Sequence, residues 1–313
     1  MNIGIDIGGS HIGIGVVNED GMIVEKVEKR IMSQEKKNIK KTLETYIAER
    51  ILELENKYKI SKIGMCCPGT ILNNIIKKSV NLGIKDYDLA GEISKKINKQ
   101  IKIRNDCECA LIAENKYGCL KNYNRAVFLT LGTGIGGAVI INNQLLDTGN
   151  VHGCEFGHMI IEKNGLQCNC GNKGCFEKYG SMKAFKDNLR KALGVDEKTR
   201  GQDLIEIIRK DGENKKIKNI IEEYIDNLSI GISNIVNIFE PEVIGIGGSF
   251  VFYSDILLEK LKQNIIDKDY LFNPREEINI VTAILGNDAG IIGSANRDVS
   301  NWTFFVQKGQ TYL

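Results

Sequence analysis

Two glycine-rich turns, each set between short β-branched strands, constrain this chain more than any other feature. In the first half, Asn2–Ile7 and His11–Val17 read as strands on either side of Gly8-Gly9-Ser10. In the second, Ala126–Leu131 leads into Gly132-Thr133-Gly134-Ile135-Gly136-Gly137, and a further strand, Ala138–Ile141, follows. A dinucleotide-binding turn needs a helix directly after its glycines so that the helix N-terminus can meet the pyrophosphate, and a P-loop needs a Gly-Lys-Ser/Thr ending. Neither is present. A glycine hairpin is a different cradle, in which bare backbone N–H groups converge on an anion. Two such hairpins, one per half, can close on a triphosphate from both sides. A third cluster, Ile244-Gly245-Ile246-Gly247-Gly248-Ser249, ends a strand and opens a helix, where an adenosine could rest against exposed backbone.

The rest of the chain fits the same repeating plan. After the first hairpin come a strand near Met22–Lys29, a helix from about Lys37 to Tyr58, a strand at Ile60–Cys66 and a loop opened by Pro68-Gly69. A helix near Leu89–Ile97, a strand at Gln100–Arg104 and a helix ended by Gly118 complete the first half. In the second half an irregular stretch, about 149–174, precedes helices at Ser181–Leu193, Gly201–Lys210 and about Asn214–Phe239. Strands at Val243–Ile246 and Ile278–Ala283 flank another helix, and Ala289–Ala295 begins a closing one. This predicts an α/β protein of two related lobes with a cleft between them and a boundary near Gly118–Asn124. With 33 glycines against 3 prolines, the excess of glycine belongs to close backbone approaches rather than to linkers. The formal net charge of +2 argues against a strongly cationic nucleic-acid binder. No run of about 20 apolar residues could span a bilayer, and the N-terminus lacks a basic segment followed by an apolar one, so a cytoplasmic protein is expected.

Several side chains could carry chemistry. Ile3, Ile5 and Ile7 share one face of the first strand, leaving Asp6 on the other, where a carboxylate is costly unless it is paired or meets a cation. Asn105-Asp106 stands at a strand end and starts a helix. Helix capping alone would account for the pair, but between two phosphate hairpins it also suits a carboxylate that accepts a hydroxyl proton. Cys168, Cys170 and Cys175 crowd into a glycine-rich loop ten residues after His158, and one histidine with three thiolates fills a tetrahedral, structural zinc site. Glu155 and Glu177 flank these ligands, so a metal-braced loop could hold a histidine and two carboxylates as a hydroxyl-binding array. Cys66, Cys67, Cys107, Cys109, Cys119 and Cys154 are expected to be free thiols, and His11 and His152 carry no assignment.

Taken in order, these pieces resemble the ROK family of bacterial sugar kinases and repressors, within the hexokinase–actin–Hsp70 ATPase superfamily. The resemblance runs from Asn2 to about Ala295 and rests on Gly4–Ser10, Pro68-Gly69, Asn105-Asp106, Leu131–Gly137, Glu155-Phe156-Gly157-His158, the Cys168–Glu177 stretch, Gly247-Gly248 and Ala289–Gly293. It implies two RNase H-like lobes with an interlobe cleft and a zinc loop, divided as 1–118 plus 290–313 and 119–289. It implies Asp106 as general base towards a sugar 6-hydroxyl, with Asn105, Glu155, His158, Glu177 and the Pro68-Gly69 turn around the sugar. Asp6, Gly8, Gly9, Ser10, Gly132, Thr133, Gly134, Gly136 and Gly137 would hold the phosphates of Mg-ATP, and Gly247 and Gly248 the adenosine side. His158, Cys168, Cys170 and Cys175 would bind structural Zn²⁺.

On this resemblance the expected activity is ATP-dependent phosphorylation of a glucose-like hexose by a homodimer or dimer of dimers, with no nucleic-acid or membrane partner. N-acetylmannosamine or N-acetylglucosamine kinase and fructokinase are the alternatives. A sugar-sensing regulator is a further one, disfavoured because the first phosphate strand starts at Asn2 and leaves no room ahead of it for a DNA-reading domain. The chain departs from the family pattern at Gly153, Cys154, Ala138 and Glu108, and its tail from Asn296, with Trp302, has no counterpart.

Overall fold

A computed structural model describes residues 1–146 and 154–296. Gly153, His152 and the tail beyond Asn296 therefore lie outside the described residues. The first half forms β1 (Asn2–Ile7), β2 (His11–Val17), β3 (Ile23–Arg30), α1 (Ile39–Glu55), β4 (Lys62–Cys67), three short strands β5 (Thr70–Leu72), β6 (Ile75–Ser79) and β7 (Ile84–Tyr87), α2 (Leu89–Ile97), β8 (Ile101–Asn105) and α3 (Asp106–Tyr117). The second forms β9 (Ala126–Leu131), β10 (Ile135–Ile141), β11 (Gln144–Leu145), α4 (Glu177–Gly180), α5 (Met182–Leu193), α6 (Gly201–Lys210), α7 (Lys215–Phe239), β12 (Val243–Gly248), α8 (Ser254–Asp267), β13 (Ile280–Thr282) and α9 (Ala289–Ala295). Among the described residues no helix is long and apolar enough to cross a membrane.

The two halves share one topology. The first sheet runs β3-β2-β1-β4-β8 and the second β11-β10-β9-β12-β13. In each, three consecutive strands pair antiparallel and the last two join parallel through helical crossovers. This is the duplicated architecture expected from the paired glycine hairpins. Each half has its own apolar core: Ile3, Ile5, Ile12, Leu43, Ile63 and Ile93 belong to the first, Leu129, Phe185, Tyr224, Ile235, Ile246 and Leu261 to the second.

Two short helices tie the halves together. α3 starts at the end of β8, but Leu111 and Ile112 pack on Phe128, Ala138 and Ile140 of the second sheet. α9 lies on β1, β4 and α3. It comes so close that a Cβ on Gly4 or Gly64 would overlap the Ile291 or Ser294 carbonyl oxygen, so only glycine fits at these strand positions. Glu114, fully buried on α3, locks the junction. Its Oε1 accepts from the backbone N–H groups of Ile284 and Leu285 at 3.0 and 2.9 Å, and its Oε2 from Cys119 N at 2.9 Å.

The structure corrects three local expectations. The segment after Pro68-Gly69, read as a loop, is the three-stranded β5-β6-β7 sheet. β10 starts at Ile135, so Gly136 and Gly137 belong to a strand rather than to the turn. The residue that caps α3 is Asn105, which leaves Asp106 as the first helical residue.

Candidate active site

The first half of β10, the start of α3 and the residues after position 153 meet around one pocket. Asn105, Cys107, Glu108, Gly137, Cys154 and Glu155 are among its lining residues. The space around it is about 420 Å³, open solvent at its mouth included. Asn105 is held at both ends of its amide: Nδ2 donates to the Gly69 carbonyl at 3.0 Å, and Oδ1 accepts from Cys107 N at 2.8 Å. The Pro68-Gly69 turn thus positions Asn105. Asp106 follows, and its Oδ1 shares the Cys107 N–H at 3.0 Å.

Burial raises the Asp106 carboxyl above the ordinary carboxylate range; the Cys107 N–H works the other way, and the negative charge of Glu108 adds to the rise. Asp6, at the end of β1, responds in the same direction. Burial pushes it up to about 6, opposed by the Cys66 thiol, which donates to Oδ1 at 3.4 Å, and reinforced by the charge of Asp106. A desolvated carboxylate at Asp6 that also feels the charge of Asp106 is suited to a cation.

Gly8 N donates to the His11 carbonyl at 2.8 Å and closes the first hairpin, while Ser10 Oγ lies 2.8 Å from His11 Nδ1. In the second turn, Gly132 N donates to the Gly134 carbonyl at 3.0 Å and Thr133 is exposed. Gly247 and Gly248 end β12 beside this turn. Gly248 has φ +73°, and a Cβ there would come within 2.5 Å of the Leu131 carbonyl oxygen. A side chain is therefore excluded where the third cluster meets the second.

His158 Nδ1, Cys168 Sγ, Cys170 Sγ and Cys175 Sγ all lie within 4.8 Å of one another. Cys170 and Cys175 are 3.5 Å apart, and Cys168 is 3.8 Å from His158 Nδ1. Zn–S bonds of about 2.3 Å give tetrahedral edges of about 3.8 Å, so the set fits zinc. Hydrogen bonds, chiefly from the Asn172 backbone N–H, lower the Cys170 thiol, which favours the thiolate that a metal binds. With Nδ1 turned to the thiols, His158 keeps Nε2 for another partner.

The two glutamates separate. Glu155 is exposed and lines the pocket. Glu177 opens α4, and its Oε2 accepts from Ile135 N at 3.2 Å, tying the zinc loop to the second glycine turn. Cys107, read only as a free thiol, lines the pocket and lies 3.2 Å from Thr130 Oγ1. Lys186 was missed altogether. It stands on α5 with its Nζ 3.4 Å from Ser249 Oγ, directly after Gly248. The only signal for it in the sequence is the spacing of Lys183, Lys186 and Arg190 along one helix face.

Comparison with known proteins agrees with this geometry. The family model described as "ROK family" matches residues 2–296. A glucokinase of Thermotoga maritima is 32% identical over 310 residues, covering 94% of this chain and 96% of that protein. A xylose repressor of Bacillus spizizenii is 30% identical over 310 residues, covering 98% of this chain and 79% of the repressor. The crystal structure of a ROK family glucokinase from Streptomyces griseus, in complex with glucose and AMPPNP, superposes with a TM-score of 0.77 at 22% identity, over 94% of this chain and 97% of that one. At that identity the likeness shows the fold, that of the actin/hexokinase type.

Proposed function

This chain belongs to the ROK family, and from that premise we propose that it is an ATP-dependent sugar kinase, transferring the γ-phosphoryl group of Mg-ATP to the 6-hydroxyl of a glucose-like hexose. Its glucokinase relatives support a sugar kinase. The observation that carries the reading is Asp106: a desolvated carboxylate of raised pKa beside Asn105 of the pocket, within electrostatic reach of Asp6.

The residues divide the work. Asn105, already oriented by Gly69, and Glu155 hold sugar hydroxyls, with His158 Nε2 and the Glu177 end of the zinc loop completing the hydroxyl contacts. Asp106 accepts the proton of the attacking hydroxyl as the new O–P bond forms and the bond to the ADP oxygen breaks. Its raised pKa brings it nearer to the working pH, which strengthens a general base. The glycine turns at Gly8-Gly9-Ser10 and Gly132-Thr133-Gly134, with Gly136 and Gly137 at the start of β10, offer backbone to the phosphates, and Gly247-Gly248 backs the adenosine. Mg²⁺, when bound, supplies charge neutralisation on the phosphate chain, with Asp6 facing it. Zn²⁺ held by His158, Cys168, Cys170 and Cys175 braces the sugar loop and takes no part in the chemistry.

The same reading divides the lobes between 118 and 119 and again between 289 and 290, with α3 on the seam, and expects a cytoplasmic homodimer. N-acetylhexosamine and fructose remain alternative acceptors. The xylose repressor relative favours a second reading, a sugar-responsive regulator. Coupled ADP release over a panel of hexoses and N-acetylhexosamines separates them. Turnover with one sugar supports the kinase, whereas sugar binding without ADP release from any of them supports the regulator.

A further inference from the structure

One face of α5 presents three of its four cations, Lys183, Lys186 and Arg190, and two of these are already neutralised. Asp187 forms ion pairs with both Lys183 and Arg190. Lys186 has no carboxylate partner among the described residues; its one hydrogen-bond contact there is Ser249 Oγ at 3.4 Å. It is half-buried, and its stem passes the first residue of α6, since a Cβ on Gly201 would lie 3.6 Å from Lys186 Cδ. Burial lowers its pKa, and the neighbouring Arg190 charge lowers it further. Only the charge of Asp187, already paired to Lys183 and Arg190, works the other way. A partly desolvated ammonium with no ion-pair partner of its own among the described residues is costly unless an anion arrives to meet it.

The position of Lys186 says which anion. One turn earlier on the same helix, Lys183 N donates to the Gly132 carbonyl at 3.0 Å, so the start of α5 abuts the second glycine turn. Ser249 directly follows Gly247-Gly248. Lys186 therefore stands between the element that would cradle the phosphates and the one that would back the adenosine. We propose that Lys186 is a nucleotide-binding residue whose ammonium engages a phosphate oxygen next to the ribose of the bound nucleotide, with Ser249 steadying the ammonium until the nucleotide arrives. This rests on the kinase reading above and adds to it the residue that senses the charge of the phosphate chain rather than its base.

Calorimetric titration of the full chain with Mg-ATP, Mg-ADP and adenosine tests it, in the wild type and in Lys186→Met, Lys186→Gln and Lys186→Arg. Loss of one charge-assisted contact should weaken both Mg-ATP and Mg-ADP about tenfold or more in the Met and Gln variants. Adenosine and sugar affinities should stay unchanged, and Arg should restore nucleotide binding. The wild type should also lose more affinity for Mg-ATP than the Met variant as salt is raised. Wild-type Mg-ATP affinity in both neutral variants overturns the proposal, as does an equal loss for adenosine, which marks a merely structural lysine. A wild type that binds sugar but none of the three nucleotide ligands is a separate result, and it overturns the kinase reading together with this one.

Discussion

Asp106→Asn is the most direct perturbation of the proposed chemistry. Asparagine keeps the size of the side chain and keeps Oδ1 as acceptor for the Cys107 N–H, 3.0 Å away in the wild type, so the start of α3 is preserved. What disappears is the ability to take a proton. General-base assistance is worth about 10²–10⁴ in rate, or about 3–5 kcal/mol of barrier, and turnover should fall by that factor. The KM for sugar should stay near its wild-type value, because Asn105 and Glu155 are untouched. The pH profile adds a second check. Asp106 must be ionised to act, and burial has raised its pKa above 3.8. Activity should therefore decline as the pH falls, beginning its decline above the range of an ordinary aspartate. Steady-state kinetics with a coupled ADP assay between pH 5 and 9, together with calorimetric sugar binding, measures all of this. Turnover of the Asn variant within about tenfold of wild type would refute Asp106 as the base.

Three further outcomes follow from the same structure. Asp6→Asn should raise the melting temperature at neutral pH. The native state holds this carboxyl at about 6 against 3.8 unfolded, so the ionised form disfavours folding above pH 6, and the advantage of the variant should vanish below about pH 4. Elemental analysis should find one zinc per chain, lost in Cys175→Ser; that variant should raise the KM for sugar more than that for ATP, and equal KM values with and without zinc would remove the metal from sugar binding. Glu114→Gln sets an amide N–H₂ against backbone N–H groups that the carboxylate satisfied, and should cost about 1–3 kcal/mol by denaturant unfolding.

Much of this was legible in the sequence because it is local. β1 and β2 follow from alternation on either side of a glycine turn, β9 from a short apolar run that ends in one, and the metal ligands from four residues of one chemistry close together. The β5-β6-β7 sheet was misread although its signal was present. Asn73 and Asn74 both have positive φ, as do Asn142 and Asn143, which follow the seven-residue β10. The difference lies in the flanks. β5 is three residues long and too short to show alternation, so the turn stood without its strands. Other features depend on elements far apart in the chain. Nothing near Glu177 shows that its carboxylate reaches Ile135, and nothing near Glu114 shows that its partners lie at 284 and 285. Lys186 has the same difficulty: the sequence shows a charged helix face, and only the fold shows that Asp187 serves the other two cations.

The glycines beneath α9 also bear on movement. Where side chains interlock, one layer cannot slide over another without repacking. Here, backbone rests on backbone at Gly4 and Gly64, and again where Gly293 meets the Cys109 carbonyl of α3. Such smooth bearings let two rigid bodies turn past one another while staying in touch. Asp106 sits at the first residue of α3, one of the elements α9 rests on, so a shift of α9 along these contacts would leave the base in place.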